Sequence, residues 1–532
     1  MAVSTGPGTA RIAGAAALIA VLTVASRLAG FARTGVFTWV VGDTGLGGIY
    51  VVANTVPNII FEIVAGGALA SLVVPLLAGS VSAGDRRAVS ATTSALLTWT
   101  LTLLLPLAAL VAVAAGPIMT ALGATDDAGA GARMLRVFAP QLPLYGIGIV
   151  LTGVLQAHRR FAWPVLAPLL SSVTVIGAYL LFGAVEGRRA DLPEVGRGGE
   201  LILSVGTTLG VVVLSLCLVI PVRRLGLRLR AGYRFGGEAR RAVGGLALAG
   251  AATVGAQQVA LLVTLWLALA GPKGTPVVYN LAQTIYLLPW AVLAVPLATA
   301  AYPTLVAAHA EGEEGRYRDT LAPAARGVLL LCCAGAAALV AVAGPVSRFF
   351  DVPGAADGIA GFAPGLLGYG MFAVLTRALY ARGEPRPAAL ATVAGWACAA
   401  LAAVVLSAGL ADDQRVLALT LGNSTGMVLL GGLLVAAVLR GAGRHALAGL
   451  DRAAAAGLVA GGLAALAGWL VTRATGTPGA SGAVLQGMLS GAVVGVVFLG
   501  VAYPLDRRDT RPMLMTITRR LARVARGKGV NP

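Results

Sequence analysis

Three charges stand where charges are rare. Arg27 and Arg33 lie inside an apolar run that begins near Ile12, and Glu62 lies inside the next such run. A charge at the centre of a bilayer costs roughly 2.5–3.5 kcal/mol on insertion scales, so such groups usually face a bundle interior or a water-filled cavity and mark a functional site. Arginine keeps its charge at any relevant pH, and its planar fork matches phosphate oxygens. Two arginines in a low-dielectric cleft suit a diphosphate and suit an organic cation poorly. The plainer reading is that Arg33 snorkels to an interface and Glu62 pairs with Arg27. At 1.5 Å per residue, Arg27 lies about 22 Å along its helix from Ile12 and Arg33 about 31 Å. They stand roughly 120° apart on an ideal helix and share one face only if the helix bends, for which Gly30 offers a place. Further along the chain, Gln257, Gln258, Asn280 and Gln283 can hydrogen-bond sugar or peptide without adding charge. Bonding between helices would employ each of them equally well.

The surrounding chain explains why these charges stand out. Of 532 residues, 58% are hydrophobic and only 12% charged, against roughly 25% charged in a soluble domain. Apolar runs of about 20 residues recur from end to end, each long enough to span a bilayer. The fold expected is an all-α polytopic membrane protein. The first run continues well past the 7–15 residues of a signal-peptide core, so it reads as a span. The net charge of +18 would suggest nucleic acid in a soluble protein; here the arginines flank spans, which speaks for membrane lipids and no nucleic acid. Cys217, Cys332, Cys333 and Cys398 lie in apolar runs without metal or disulfide spacing and read as small hydrophobes. His158, His309 and His445 fall at expected loops. No base, nucleophile or metal set suggests an enzyme, and no cofactor is expected.

Run length predicts about fourteen spans, at 12–41, 46–79, 88–116, 134–157, 162–185, 200–222, 240–271, 276–309, 320–346, 361–381, 387–410, 415–439, 453–473 and 480–504. Alternate connectors are rich in arginine: Arg86 with Arg87, Arg159 with Arg160, the Arg223–Arg241 cluster, Arg382 with Arg386, and Arg440 with Arg444 and Arg452. The opposite set carries Asp126, Lys273, Asp351 and Asp412. The arginine-rich set is then cytoplasmic, and both termini with it. The 186–200 connector is mixed, and the acidic 309–319 connector falls on the inside against the trend. A basic tail follows Pro504, and residues 512–525 could form an amphipathic helix on the inner leaflet or simply anchor the topology.

The chain also repeats itself. Leu69-Ala70 and Pro75 recur as Leu297-Ala298 and Pro303, Gly84 recurs as Gly312, and 111–117 recurs as 339–345, always 228 residues on. About six spans fit that offset. The two halves should therefore run in the same sense, related by a pseudo-two-fold axis along the membrane normal, with substrate between them near the midplane. The expected division is an N-terminal lobe at 1–225, a C-terminal lobe at 226–450, two extra helices at 451–505 and the basic tail at 506–532. In the extra helices Gly457 with Gly461, and Gly487 with Gly491 and Gly495, have the spacing of close helix packing.

Ser26-Arg27-Leu28-Ala29-Gly30-Phe31-Ala32-Arg33, then Pro57-Asn58, Gly67-Ala68 and Val74-Pro75, resembles the opening of the MurJ/MviN family of the MOP transporter superfamily. Residues 155–161 with Pro164 and Ala167-Pro168, residues 379–382 with Pro387, and Pro289 with Pro303 extend the likeness across spans 1 to 12. The resemblance implies a fourteen-helix, two-lobed transporter that flips undecaprenyl-diphosphate-linked peptidoglycan precursor, lipid II, across the inner membrane by alternating access. It implies a lipid-tail groove at the last two helices and partners among cell-wall synthesis proteins. It adds Asn58 to the substrate set, which then reads Arg27, Arg33, Asn58, Glu62, Gln257 and Gln283. Several family charges are absent: Thr34, Gly48, Gly66 and Gln283-Thr284 stand where the family carries charged side chains. Glu62 lies one turn before Gly66, on nearly the same face. The competing readings are a flippase for another lipid-linked oligosaccharide, a cation-coupled drug antiporter, and a non-transporting scaffold of the cell-wall machinery.

Overall fold

The computed structural model describes residues 7–124, 127–233, 237–476 and 479–510, with the side chains of 7–20, 65–72 and 237–251 outside that set. The helix expected over 512–525 lies outside the described residues. Every regular element among the described residues is helical, as expected where a bilayer supplies no water to satisfy backbone groups. Twelve of these helices are long and apolar enough to cross a membrane, or thirteen when one bent pair counts as a single span. The first helix is a further 34 residues long.

Residues 1–258 form one compact unit and residues 259–532 another. The first contains α1 (Pro7–Val40), α2 (Gly45–Phe61), α3 (Gly67–Ser82), α4 (Arg86–Val113), α5 (Ala115–Ala121), α6 (Ala128–Phe138), α7 (Gln141–Ala157), α8 (Ala162–Val185), α9 (Arg197–Leu216) and α10 (Val219–Arg223). Helix α11 (Gly237–Leu269) carries the chain from one unit into the next. The second unit contains α12 (Thr275–Pro289), α13 (Val295–Ala310), α14 (Glu314–Phe350), α15 (Ala355–Phe362), α16 (Gly365–Ala381), α17 (Pro385–Gly409), α18 (Arg415–Ala442), α19 (Leu450–Ala474) and α20 (Ala480–Leu505). Each of the fourteen expected runs corresponds to one of these helices or to a consecutive group of them.

Several spans are broken in ways hydropathy does not reveal. A π-helical turn, Glu62–Gly66, joins α2 to α3, and a second, Trp290–Ala294, joins α12 to α13. The two turns start 228 residues apart, the offset of the sequence repeat. Gly84 and Gly312, also 228 apart, both turn the chain at positive φ, +69° and +73°, a region glycine enters at least conformational cost. The correspondence continues at a slightly shorter offset. Helices α7 and α16 start and end 224 residues apart. The connector and helix before them are shorter in the second unit, 351–354 against 122–127 and α15 of 8 residues against α6 of 11, which accounts for the change. Helices α15 and α16 meet at 44°.

The two connectors that fit the charge pattern poorly have structural work. In the mixed connector, Arg188 lies over the Trp39 ring, 3.8 Å from its centroid, and Asp191 accepts a hydrogen bond from the Leu46 N–H at the start of α2, at 3.2 Å. Its charges cap and clamp the α1–α2 turn. In the acidic connector, Glu311 and Glu313 bind Arg316 at 2.8 and 3.2 Å, and Glu314 binds Arg382 at 3.0 Å. Those acids neutralise neighbouring bases and carry no topological vote.

The arginine-rich connector begins as an extended strap along α4. The Arg228, Arg230 and Gly232 N–H groups donate to the hydroxyls of Ser90, Ser94 and Thr98 at 3.3, 3.1 and 3.1 Å. Two residues of extended chain advance about 6.6 Å and four residues of helix about 6 Å, so the two periods match. Every second N–H of the strap thereby meets a hydroxyl one helical turn further along α4.

Small residues set the close approaches in the second unit. Cβ atoms added at Gly457 and Gly461 would meet Cys333 on α14, its Sγ at 2.9 Å and its carbonyl oxygen at 3.2 Å. This pair packs helices, as its spacing predicts. The other series does so only at its first member: a Cβ at Gly487 would meet the Pro345 side chain on α14 at 3.4 Å, whereas one at Gly491 or Gly495 meets nothing within 4 Å. Glycine spacing alone arises by chance in so glycine-rich a chain. Cys332 and Cys333 are buried, free and surrounded by apolar helix.

Candidate functional site

Helix α1 runs unbroken through Gly30, so the bend that would align Arg27 with Arg33 is not a helix break. Both arginines are exposed. Among the described residues neither takes part in an ion pair, and Glu62 is not bonded to Arg27. The plain pairing of Arg27 with Glu62 is therefore not what the structure contains. Thr34 and Thr38 donate back to the carbonyls of Gly30 and Thr34 at 3.4 and 3.0 Å, which satisfies their hydroxyls within the helix.

Arg33 looks toward an aromatic nest. It acts electrostatically on the hydroxyls of Tyr50, Tyr145 and Tyr179. The Tyr50 hydroxyl lies 2.8 Å from that of Tyr179 and 2.6 Å from that of Thr207. Phe37, one turn beyond Arg33 on α1, packs on the Tyr50 and Tyr179 rings, with centroids 5.0 and 5.1 Å away. The nest fixes the C-terminal half of α1 against α2 and α8, the half that carries Arg33.

Asn58 and Glu62 come together in one cavity of about 250 Å³ in the first unit, with Tyr145 and Thr152 of α7, Pro168 of α8 and Ser215 of α9 in its wall. Asn58 is exposed and Glu62 half-buried. The π-helical turn begins at Glu62; such turns insert one residue and re-aim side chains, often at functional sites. Tyr145 donates to the Gln141 side-chain oxygen at 3.1 Å. Gln141, fully buried, donates in turn to Thr208 at 3.1 Å, and Thr208 to the Val137 carbonyl at 3.0 Å. This chain of bonds holds Tyr145 in place.

The remaining amides stand elsewhere. Gln257 is exposed on α11, and neither it nor Gln283 lines this cavity. Gln283 and Asn280 are half-buried on α12. Gln258 is buried, and its side-chain oxygen has no hydrogen-bond partner. Tyr145 and Gln141 escaped sequence reasoning. A tyrosine or glutamine within an apolar run looks like any core residue until its neighbours are known.

The second unit holds a much larger apolar cavity of about 1110 Å³, walled by Leu329 of α14, Met371 of α16, Val428 of α18 and Leu458 of α19, with Arg444 and Asp451 as its charged members. Helix α19 lines it as expected. Helix α20 contributes no residue to its wall; α14, α16 and α18 take that place. Among the described residues no cluster of three or more His, Cys, Asp or Glu side chains could hold a metal ion.

Comparison with known proteins agrees with this architecture. The family model described as lipid II flippase MurJ matches residues 37–489. The lipid II flippase MurJ of Burkholderia cenocepacia is 25% identical over 68% of this chain and 71% of its own length. The probable lipid II flippase MurJ of Synechocystis sp. is 25% identical over 43% of this chain, an alignment that spans 44% of that relative. Among solved structures, a lipid II flippase MurJ in an inward closed conformation superposes with a TM-score of 0.70 at 17% identity, covering 92% of this chain and 99% of that one. An inward-facing multidrug resistance MATE family transporter of the MOP superfamily reaches 0.64 at 15% identity, covering 81% and 99%. At these identities the two structures share a fold with this chain and nothing more.

Proposed function

The chain belongs to the lipid II flippase family MurJ, and we propose that it moves undecaprenyl-diphosphate-linked peptidoglycan precursor across the cytoplasmic membrane by alternating access between an N-terminal lobe and a C-terminal lobe. One observation supports this reading above others. Two arginines stand on a membrane helix without an ion-pair partner among the described residues, and one acts on Tyr145 in the wall of the cavity that holds Asn58 and Glu62. A guanidinium left without a carboxylate partner in such a place is available to an anion, and its fork fits the paired oxygens of a diphosphate. In this reading Arg27 and Arg33 take the diphosphate. Asn58, Gln257 and Gln283 hydrogen-bond the sugar or peptide, and Glu62 borders the head group. The apolar cavity of the second unit receives part of the polyprenyl chain, whose burial contributes about 0.8 kcal/mol per methylene. The chain is a transporter in this reading and catalyses no covalent step. Cell-wall synthesis proteins that supply or consume the precursor are its partners. Depleting the protein should raise lipid II on the inner leaflet and lower it on the outer one. Unchanged leaflet amounts would remove the flippase assignment.

The orientation proposed places both termini and the Arg223–Arg241 connector in the cytoplasm, because that connector holds the densest arginine cluster. Single cysteines at positions 228 or 230 should resist a membrane-impermeant thiol reagent in intact cells, whereas cysteines at 412 or 413 should react. Labelling at 228 from outside inverts the topology.

A further inference from the structure

The two units carry the same helices around the two π-helical turns, yet fill them differently. At the 228-residue offset Asn58 corresponds to Tyr286 and Glu62 to Trp290; at the 224-residue offset of α7 and α16, Tyr145 corresponds to Tyr369 and Gly148 to Phe372. In the second unit these four positions form a stack. Trp290 lies on Tyr369 with ring centroids 4.7 Å apart, Tyr369 on Phe372 at 5.6 Å, and Tyr286 on Tyr369 at 6.1 Å. The Trp290 indole N–H donates to the Tyr369 carbonyl at 3.1 Å. In the first unit the same four positions carry an amide, a carboxylate, a tyrosine and a glycine, and there the cavity of about 250 Å³ stands open. An aromatic plug is thus what the fold builds at this place when it needs only packing. The first unit forgoes that packing to keep a carboxylate beside a space large enough for several waters.

We propose that Glu62 is a proton-binding site in the first unit, taking up and releasing one proton through this cavity during the transport cycle. The cavity supplies water for the proton to travel on. Its other polar wall groups are the Asn58 amide and the Thr152 hydroxyl, which can hydrogen-bond either form of the carboxyl, and the Tyr145 and Ser215 hydroxyls, which already donate to Gln141 and to the Leu144 carbonyl and so can accept from the protonated form. The neighbouring elements bring few competing charges. Helix α7 contributes Tyr145, and α8 contributes no titratable group to the wall. Past the end of α9, Cys217 bonds back to the Leu214 carbonyl. Helix α6, packed on α2, carries Arg133, bound to Glu200 at 2.8 Å, and Arg136. Arg33 of α1 acts on Tyr145. One carboxylate with neutral oxygens around it and no metal-holding cluster among the described residues suits a proton. The inference rests on the transport reading for its role in the cycle. Protonating Glu62 removes a negative charge from the cavity wall, which favours an anion bound in the same unit. By linkage, anion binding must favour the protonated form equally.

The test is infrared difference spectroscopy of the protein reconstituted in phosphatidylcholine vesicles, recorded across a pH titration. A protonated-carboxyl stretch that titrates in the wild type and vanishes in Glu62→Gln is the expected result. Glu62→Trp, which copies the second unit, should lose the same band while keeping the fold. Carboxyl bands that are the same in wild type and Glu62→Gln at every pH, or a Glu62 component that sodium chloride abolishes at fixed pH where choline chloride does not, overturn the proton assignment. The spectra do not depend on the substrate, so the two readings can fail separately. A Glu62 band in a protein that leaves lipid II unmoved condemns the flippase reading alone. Lipid II transport with no Glu62 band condemns the proton site alone.

Discussion

Arg33→Ala is expected to abolish complementation of a flippase-depleted cell while the protein still inserts and accumulates, and Arg27→Ala to do the same. Each charge-assisted contact to a phosphate contributes about 1.5–3 kcal/mol, so losing one lowers affinity roughly ten- to hundredfold. A diphosphate held by only two arginines does not survive that loss. Lysine at either position should restore function in part, because it returns a point charge without the two-pronged geometry. The double variant Arg27→Ala with Glu62→Ala discriminates further. If Arg27 served only to neutralise Glu62, removing both would restore activity. No bond joins the two side chains, so the double variant should remain inactive. Complementation by the double variant at normal protein level would leave the diphosphate site without support.

Asp509→Ala should lower the stability of the second unit by about 3–5 kcal/mol, the range found when one partner of a buried ion pair is removed. Arg326 on α14 is 5% exposed. It holds Asp509 with two bonds, from Nε to Oδ2 at 2.6 Å and from Nη2 to Oδ1 at 3.0 Å, and gives a third from Nη1 to the Ala448 carbonyl at 2.6 Å. Without Asp509 the guanidinium is buried against one carbonyl only. The pair ties the segment after α20 to α14 and to the turn before α19. The nearby bond from Arg452 to Asp506, at 2.7 Å, matters less for its arginine, whose side chain is 52% exposed; exposed charges contribute about 0–1 kcal/mol. Thermal denaturation of the detergent-purified protein checks this. Asp509→Ala should unfold at a clearly lower temperature, and Arg326→Met with Asp509→Leu should recover most of the loss, short by the Ala448 carbonyl left without its donor. An unchanged midpoint in Asp509→Ala would refute the anchoring role.

The all-helical class and the approximate limits of the spans were legible in the sequence, with twelve or thirteen candidate spans among the described residues against about fourteen expected: a run of apolar residues long enough to cross a bilayer has little alternative to a helix. The charged candidates were legible for the same reason, since Arg27, Arg33 and Glu62 are conspicuous where charge is costly. The repeat was partly legible through Gly84 and Gly312, whose turns favour glycine. What happens inside a span was not. The π-helical turns at Glu62 and Trp290 leave hydropathy unchanged, and α1 continues without a break through Gly30. Glycine spacing in α20 is packed at Gly487 and open at Gly491 and Gly495, while the same spacing in α19 is packed against Cys333. The sequence by itself determined that charges interrupt apolar runs and that one half of the chain echoes the other. Only the tertiary structure decided that Tyr145 stands in the wall beside Glu62 and that Trp290, Tyr369 and Phe372 close the corresponding place in the second unit. The reason is physical. Hydropathy is a property of each residue alone, whereas a cavity or a plug depends on which side chains four separate helices bring to one point.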